Sequence, residues 1–420
     1  MSLRILWVTP QFPCRRSGGQ VRQYYLLQYL GQRYQVTVLS LIQPTEVKEI
    51  PSLRNTGVEV ITVPFSPPKP SRGWRNRIRS WAQLLFDPQP HYARTYPLPA
   101  LRAEMAKFLS ERKPDIVHLE HLFTAPLGEM LRGLPWLLTE QNVESTVAER
   151  QRRRANTPAR RLAGWLEARK LRRWERRWIQ RSPACIAVSE TDAAKLRAMS
   201  PGTPIFVVPN GVDTTHFAVP EGNQTRRAGM VFFGNLGYAP NIDALAYFCD
   251  QIFPLVRSRH PDARLHIVGP YAPPEVVALG SRPGIQYIGF VEDVRPHLWQ
   301  AAVCIVPLRV GGGVRLKILE ALAAGCPVVS TTVGAEGLDL SDGQDLLIGD
   351  DPLTFAQHVS ELLEDGNKAR HLAEHGRQTV STRYDWRTIA PRLEEAYRTV
   401  LRAGYYGRLP AKQPESRWSN

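Results

Sequence analysis

The chain has no apolar stretch close to the roughly 18 residues that a membrane-spanning helix needs, so no span is expected. Its start, "MSLRILWVTPQFP", offers one Arg and a four-residue apolar run. That is too short for the core of a secretory leader and reads better as a first buried strand. Cysteine is scarce: five residues, at 14, 185, 249, 304 and 326, none in a C-x-x-C pair. Neither a disulfide framework nor a structural zinc site is indicated, and a reducing cytoplasm is the expected compartment. No short repeat recurs, which argues against solenoids and propellers.

Acids are also in short supply, with 39 Asp and Glu against 54 Lys and Arg, a net charge of +15. Such an excess speaks about partners rather than about fold. It is uneven: "RQRRRANTPARRLAGWLEARKLRRWERRWIQR" (150–181) has thirteen cations and two Glu, and "KPSRGWRNRIRSWAQLL" (69–85) again mixes Arg with Trp. Leu171, Trp174 and Trp178 follow helical spacing within the first of these. Two readings stay open: docking on an anionic membrane surface, or a helix packed through its Trp face with a solvated basic side. Nucleic acid is disfavoured, because no nucleic-acid motif accompanies the charge.

What is present in quantity is alternation. Strand-like runs at 4–10, 35–41, 58–64, 115–120, 136–141, 185–189 and 205–210 are separated by helical patterns such as "QVRQYYLLQYLGQRY". A polar stretch, 211–228, reads as a linker, and the alternation restarts over 229–385. Near-continuous apolar strands between helices imply parallel sheets covered on both faces. The expected organisation is an N-terminal domain over 1–210 and a C-terminal domain over 229–385. A last amphipathic helix over 386–404 packs back on the first domain, and a frayed tail follows over 405–420. In such folds ligands bind beyond the carboxyl ends of the strands.

The stretch "VGGGVRLKILEALAAGCPVV" (310–329) follows the strand "VCIVPL". Glycines at a strand-to-helix turn let backbone N–H groups approach an anion, and the helix N-terminus favours negative charge. Arg315 and Lys317 add full charges, with Arg suited to bidentate phosphate contact. Glu320, one turn along, can accept two hydroxyl hydrogens, as from a ribose. The plain alternative is a flexible loop with an ordinary Lys317–Glu320 pair.

This stretch, with "PNGVDTTHF" (209–217) and "IGFVEDVRPHLWQAAVCIVPL" (288–308), resembles the group 1, or family four, retaining glycosyltransferases. "TPQFPCRRSGG" and "QNVES" extend the resemblance over nearly the whole chain. It implies the GT-B fold: two Rossmann-like doubly wound domains facing across a cleft. The second domain would bind the nucleotide sugar and the first would present the acceptor. The family's E-x7-E pattern puts Glu320 at its second acid, on the donor ribose, but its first acid falls on Gly312. The phosphate-binding Arg and Lys usual after the first strand of the second domain are absent from "FFGNLGYAPNIDAL", where Gly234 is followed by Asn235, and Asn241 lies near the Lys position. Arg315 and Lys317, beside Gly312 and Gly313, are read as their replacements.

In the first domain, Gly18 and Gly19 precede a helix, as a loop for donor phosphate or acceptor or as a plain turn. "DIVHLEHLF" ends a strand with His118, Glu120 and His121, where the family has a His near the donor sugar. His121 and Glu120 rank above His118, since a His inside a strand is more often structural. "TEQNVEST" resembles the family's H-N-x-E stretch with Gln141 in place of His, so Asn142 and Glu144 face the acceptor or cap the next helix. No Asp-x-Asp occurs, so no metal or other cofactor is expected, and cations with a helix dipole would stabilise the leaving diphosphate.

The expected function is transfer of a sugar from a nucleotide-diphosphate sugar to a hydroxyl of a glycan or lipid-linked acceptor, in polysaccharide or glycolipid synthesis. The place would be the cytoplasm or the inner face of the membrane. Three alternatives are carried: an epimerase or a phosphorylase of the same fold, and an inactive binding module.

Overall fold

A computed structural model describes residues 2–16, 18–66, 83–85, 87, 89–153, 155, 157–220, 227–310 and 316–402. The chain divides into two compact units, Met1–Val208 with Ala390–Asn420, and Pro209–Ile389.

The first unit is built on a seven-stranded parallel sheet of β1 (Arg4–Thr9), β2 (Gln35–Ile42), β3 (Glu59–Pro64), β4 (Ile116–Glu120), β5 (Trp136–Glu140), β6 (Cys185–Ala187) and β7 (Ile205–Val207). The order is β3-β2-β1-β4-β5-β6-β7. The central strands β4 and β5 are buried at every position, as helices on both faces require. Helix α1 (Gly18–Gly31) follows β1, α2 (Glu144–Arg153) follows β5, and α3 (Pro158–Arg181) leads into β6. The start of α3 is set locally: Pro158 occupies its first turn, and the Thr157 hydroxyl accepts from the Arg160 amide. The Trp face of α3 is spent on packing, with Leu171, Trp178 and Ile179 buried and Trp174 against the same core. Of the two readings of the basic stretch, the structure shows the packed helix with its Arg side to solvent.

The last helix, α5 (Trp386–Arg402), buries Leu393, Ala396, Tyr397 and Val400, a stripe at helical spacing. From Ala390 onward it belongs to the first unit.

The second unit has a six-stranded parallel sheet: β8 (Met230–Phe233), β9 (Leu265–Val268), β10 (Ile285–Gly289), β11 (Val303–Val306), β12 (Val328–Ser330) and β13 (Leu347–Ile348). The order is β10-β9-β8-β11-β12-β13. Helix α4 (Leu316–Ala323) stands between β11 and β12. The stretch read as a linker is, at its start, built into this unit. The Val212 amide donates to the Tyr384 carbonyl at 2.8 Å, and the Phe217 carbonyl accepts from the Trp299 indole at 3.3 Å. The Asp213 carboxylate accepts from the His216 amide at 2.8 Å, which makes it a local turn former.

In each sheet the strand order reverses once, between β1 and β4 in the first unit and between β8 and β11 in the second. Crevices open at such switch points beyond the strand carboxyl ends. The described residues among the sequence-predicted site groups lie beside these two places.

Candidate active site

In the first unit, β4 ends in His118, Glu120 and, one residue on, His121. His118 is enclosed. It stacks on Trp7 at 3.7 Å between ring centroids, and its Nδ1 lies 2.7 Å from the Tyr397 hydroxyl. Its Nε2 lies 2.7 Å from the Thr139 hydroxyl and 3.0 Å from the Glu120 carboxylate. Burial pulls the His118 pKa down, against Glu120. A neutral ring with its proton on Nε2 satisfies these partners: Nδ1 accepts from Tyr397, and Nε2–H faces the two oxygens.

Glu120 is fully buried. Burial pushes its carboxyl up, but His118, Arg22 and Gln141 together hold it below the usual range. Arg22, one turn into α1, is itself buried and falls to about 10 through desolvation, against the pull of Glu120 and Tyr397. The exit from this network is Gln141, just past β5. Its Nε2 donates to Glu120 Oε1 at 2.7 Å, and it is only partly buried. A Cβ added at Gly19 would meet Gln141 Oε1 at 2.3 Å, so the bare Cα of Gly19 makes room for this carboxamide. Gly18 opens α1 beside it. Three separate loops of the sequence thus converge at the β1/β4 switch point.

His121 has φ 79°, a left-handed backbone that non-glycine residues rarely adopt. The Thr124 hydroxyl fastens this turn, donating to the carbonyls of Glu120 and His121 at 3.1 and 3.0 Å. The ring stacks on Phe123 at 4.7 Å, and its Nε2 lies 3.8 Å from Glu144 Oε1. Its Nδ1 is buried without a hydrogen-bond partner among the described residues. Burial lowers its pKa, against Glu144 and Glu120. Glu144 also accepts from Asn142 Nδ2 at 3.3 Å. His118 and Glu120 are thus wholly enclosed and His121 nearly so, while Gln141, Asn142 and Glu144 are only partly buried.

In the second unit, Gly234 (φ 136°) follows β8, and a Cβ there would come within 3.2 Å of Lys317 Nζ. Asn235 Oδ1 accepts from the Gly237 amide at 2.9 Å, and its carbonyl accepts from Asn241 Nδ2 at 2.7 Å. Asn241 Oδ1 in turn accepts from Lys317 Nζ at 3.0 Å, and that ammonium sits 4.3 Å from the Phe232 ring centroid. The cation from α4 is thus carried to the loop that lacks its own. Glu320, one turn further along α4, keeps some contact with solvent, yet the surrounding protein pushes its carboxyl up to about 7, against Lys317. Arg315, Gly312 and Gly313 lie outside the described residues.

Sequence reasoning passed over two groups. Arg309 pairs bidentately with Asp243 at 2.6 and 3.1 Å, over the Tyr247 ring, and so reinforces the same switch point. Tyr397 lies on the buried stripe of α5, and nothing in its spacing tells that its hydroxyl meets His118. Among the described residues no three His, Cys, Asp or Glu side chains converge in a set able to hold a metal.

Residues 16–216 match Glycosyltransferase Family 4, and residues 227–365 match Glycosyl transferases group 1. The chain belongs to this glycosyltransferase family. A 44.6 kDa protein in the cps region of Klebsiella pneumoniae is 26% identical over 168 residues, 38% of this chain and 43% of that one. A phosphatidyl-myo-inositol mannosyltransferase of Propionibacterium freudenreichii is 25% identical over 323 residues, 73% and 75% of the two chains. The chain therefore spans less than half of the first relative and three quarters of the second. Among solved structures, sucrose-phosphate synthase from Thermosynechococcus elongatus superposes with a TM-score of 0.71 at 17% identity, over 96% of this chain and 100% of that one. Anabaena HepE in complex with UDP and glucose gives 0.66 at 14%, over 94% and 100%. At such identities these structures establish the GT-B fold.

Proposed function

We propose that this chain is a retaining, metal-independent glycosyltransferase. It would move a sugar from a nucleoside-diphosphate sugar to a hydroxyl of a glycan or glycolipid. The observation that carries the reading is Lys317. A helix of the family's donor motif brings it to Asn241 at a switch point, with Glu320 one turn beyond. In this reading Lys317, with Arg315 and the backbone of Gly312–Gly313, neutralises the diphosphate as the bond from anomeric carbon to phosphate oxygen breaks. Glu320 holds the ribose hydroxyls through its carboxyl oxygens. The leaving phosphate oxygen takes the acceptor's proton as the new glycosidic bond forms on the same face. In the first unit, His121, Gln141 and Glu144 would contact acceptor or transferred sugar. The UDP in HepE and the mannosyltransferase relative support a nucleotide-sugar donor.

We also infer that the enzyme works at the inner membrane face. No helix among the described residues is long and apolar enough to cross a membrane. Leu162 and Trp165 of α3 are exposed among arginines, which suits an interfacial contact. Thermal-shift measurement with UDP, GDP and ADP tests the donor reading. Stabilisation by one diphosphate is expected, and stabilisation by none favours an inactive binding module.

A further inference from the structure

The middle of α3 has a second feature. Lys170, Arg173, Trp174 and Arg177 share one stripe of the helix and, with Leu85 and Asp87, line a cavity of about 510 Å³. Three cations at this spacing repel one another, so the stripe costs helix stability unless something neutralises it. The protein does not. Among the described residues no carboxylate pairs with Arg173 or Arg177. Asp87, the acid on the wall, is engaged by Arg94. Glu167 Oε1 accepts from the His91 amide at 2.7 Å, and Glu175 is buried and accepts from the Ser145 amide. Lys170 donates once, to the Gln83 carbonyl at 3.3 Å, which leaves two of its N–H groups. The Trp174 indole N–H is buried with no partner among the described residues. Burial depresses the Lys170 pKa, opposed by Glu167 and helped by Arg94.

We propose that this cavity is a phosphate-recognition site, distinct in its residues from the donor site at Lys317. The two guanidinium groups offer bidentate contacts to phosphate oxygens, and Lys170 adds a point charge. The indole N–H supplies a neutral donor, and Leu85, 55% exposed, offers an apolar edge beside the charged group. A ligand with a phosphate joined to an apolar or glycerol portion meets all of these. A phospholipid headgroup and a soluble phosphate ester share that chemistry.

The test uses the full chain and three probes: inorganic phosphate, glycerol 3-phosphate, and phosphatidylcholine vesicles with or without phosphatidylglycerol. Binding is followed by Trp fluorescence for the soluble probes and by flotation for vesicles. Arg173→Ala with Arg177→Ala should weaken binding roughly tenfold or more. Arg172→Ala with Arg176→Ala removes the same charge outside the cavity and should change it little. Trp174→Phe should abolish the fluorescence change, and Lys317→Ala should leave it intact, so failure of the transferase reading is separable. Response to soluble phosphates alone assigns a soluble ester; response to phosphatidylglycerol vesicles alone assigns a lipid headgroup. Equal losses in the two double variants, or no response to any probe, overturn the proposal.

Discussion

Gly19 shows how much one missing atom decides. A methyl group there would take the place of the Gln141 carboxamide oxygen, and the yielding group would be the flexible end of a side chain. Gly19→Ala is therefore expected to change stability by no more than about 1 kcal/mol in chemical denaturation. It should lower kcat/KM for sugar transfer roughly tenfold, because Gln141 leaves Glu120. Lys317→Ala has the complementary signature. The side chain is only partly buried, against Asn241 and the Phe232 ring, so folding should survive. Affinity for the nucleoside diphosphate, measured by titration calorimetry, should fall at least tenfold through loss of one charge-assisted contact.

At the scale of elements, two carboxyls lie buried where β5 and α3 meet. Glu175 accepts from the Ser145 amide at the start of α2, and burial pushes it up to about 7. Glu140, at the end of β5, is also raised, by burial and then by Glu175. A raised acid is protonated in the fold and ionised in the unfolded chain between its two pKa values. Its contribution is therefore present below about 4.5 and lost as pH climbs through about 7. Glu175→Gln keeps the acceptor oxygen for Ser145 and removes the titration. In urea unfolding the variant should match the parent near pH 4.5 and exceed it by about 2–3 kcal/mol at pH 8. Tyr397→Phe probes the join of α5 to β4. It strands the His118 nitrogen in the core, at a cost of about 1–3 kcal/mol in the same measurement.

For the whole molecule, the chain returns to its first unit after building its second. Leu393, Tyr397 and Val400 are almost wholly buried there. Each such side chain contributes roughly 1.5–3 kcal/mol, against a total stability of about 5–15 kcal/mol for a typical domain. Truncation before Trp386 should therefore abolish cooperative unfolding of the first unit, read by near-ultraviolet circular dichroism. Supplying residues 386–402 on a linker after Val208 should restore it.

Strand apolarity and helix spacing were enough to read two parallel α/β units, because burial on both faces leaves a mark at nearly every strand position. The donor-motif helix was equally readable, since Gly, cation and acid at fixed spacing on one helix are a local pattern. The first-unit site was not. His118 and Glu120 read as candidate catalytic groups, yet burial makes them the support of Gln141, and that depends on Arg22, Thr139 and Tyr397 arriving from distant segments. The Trp stripe of α3 likewise suited membrane or core until packing buried Trp178 and left Trp174 partly exposed. The sequence by itself determined the architecture and the helix that follows β11, which rest on short-range periodicity. Only the tertiary structure decided which of the polar candidates are buried and which reach solvent, because that depends on what the rest of the chain folds over them.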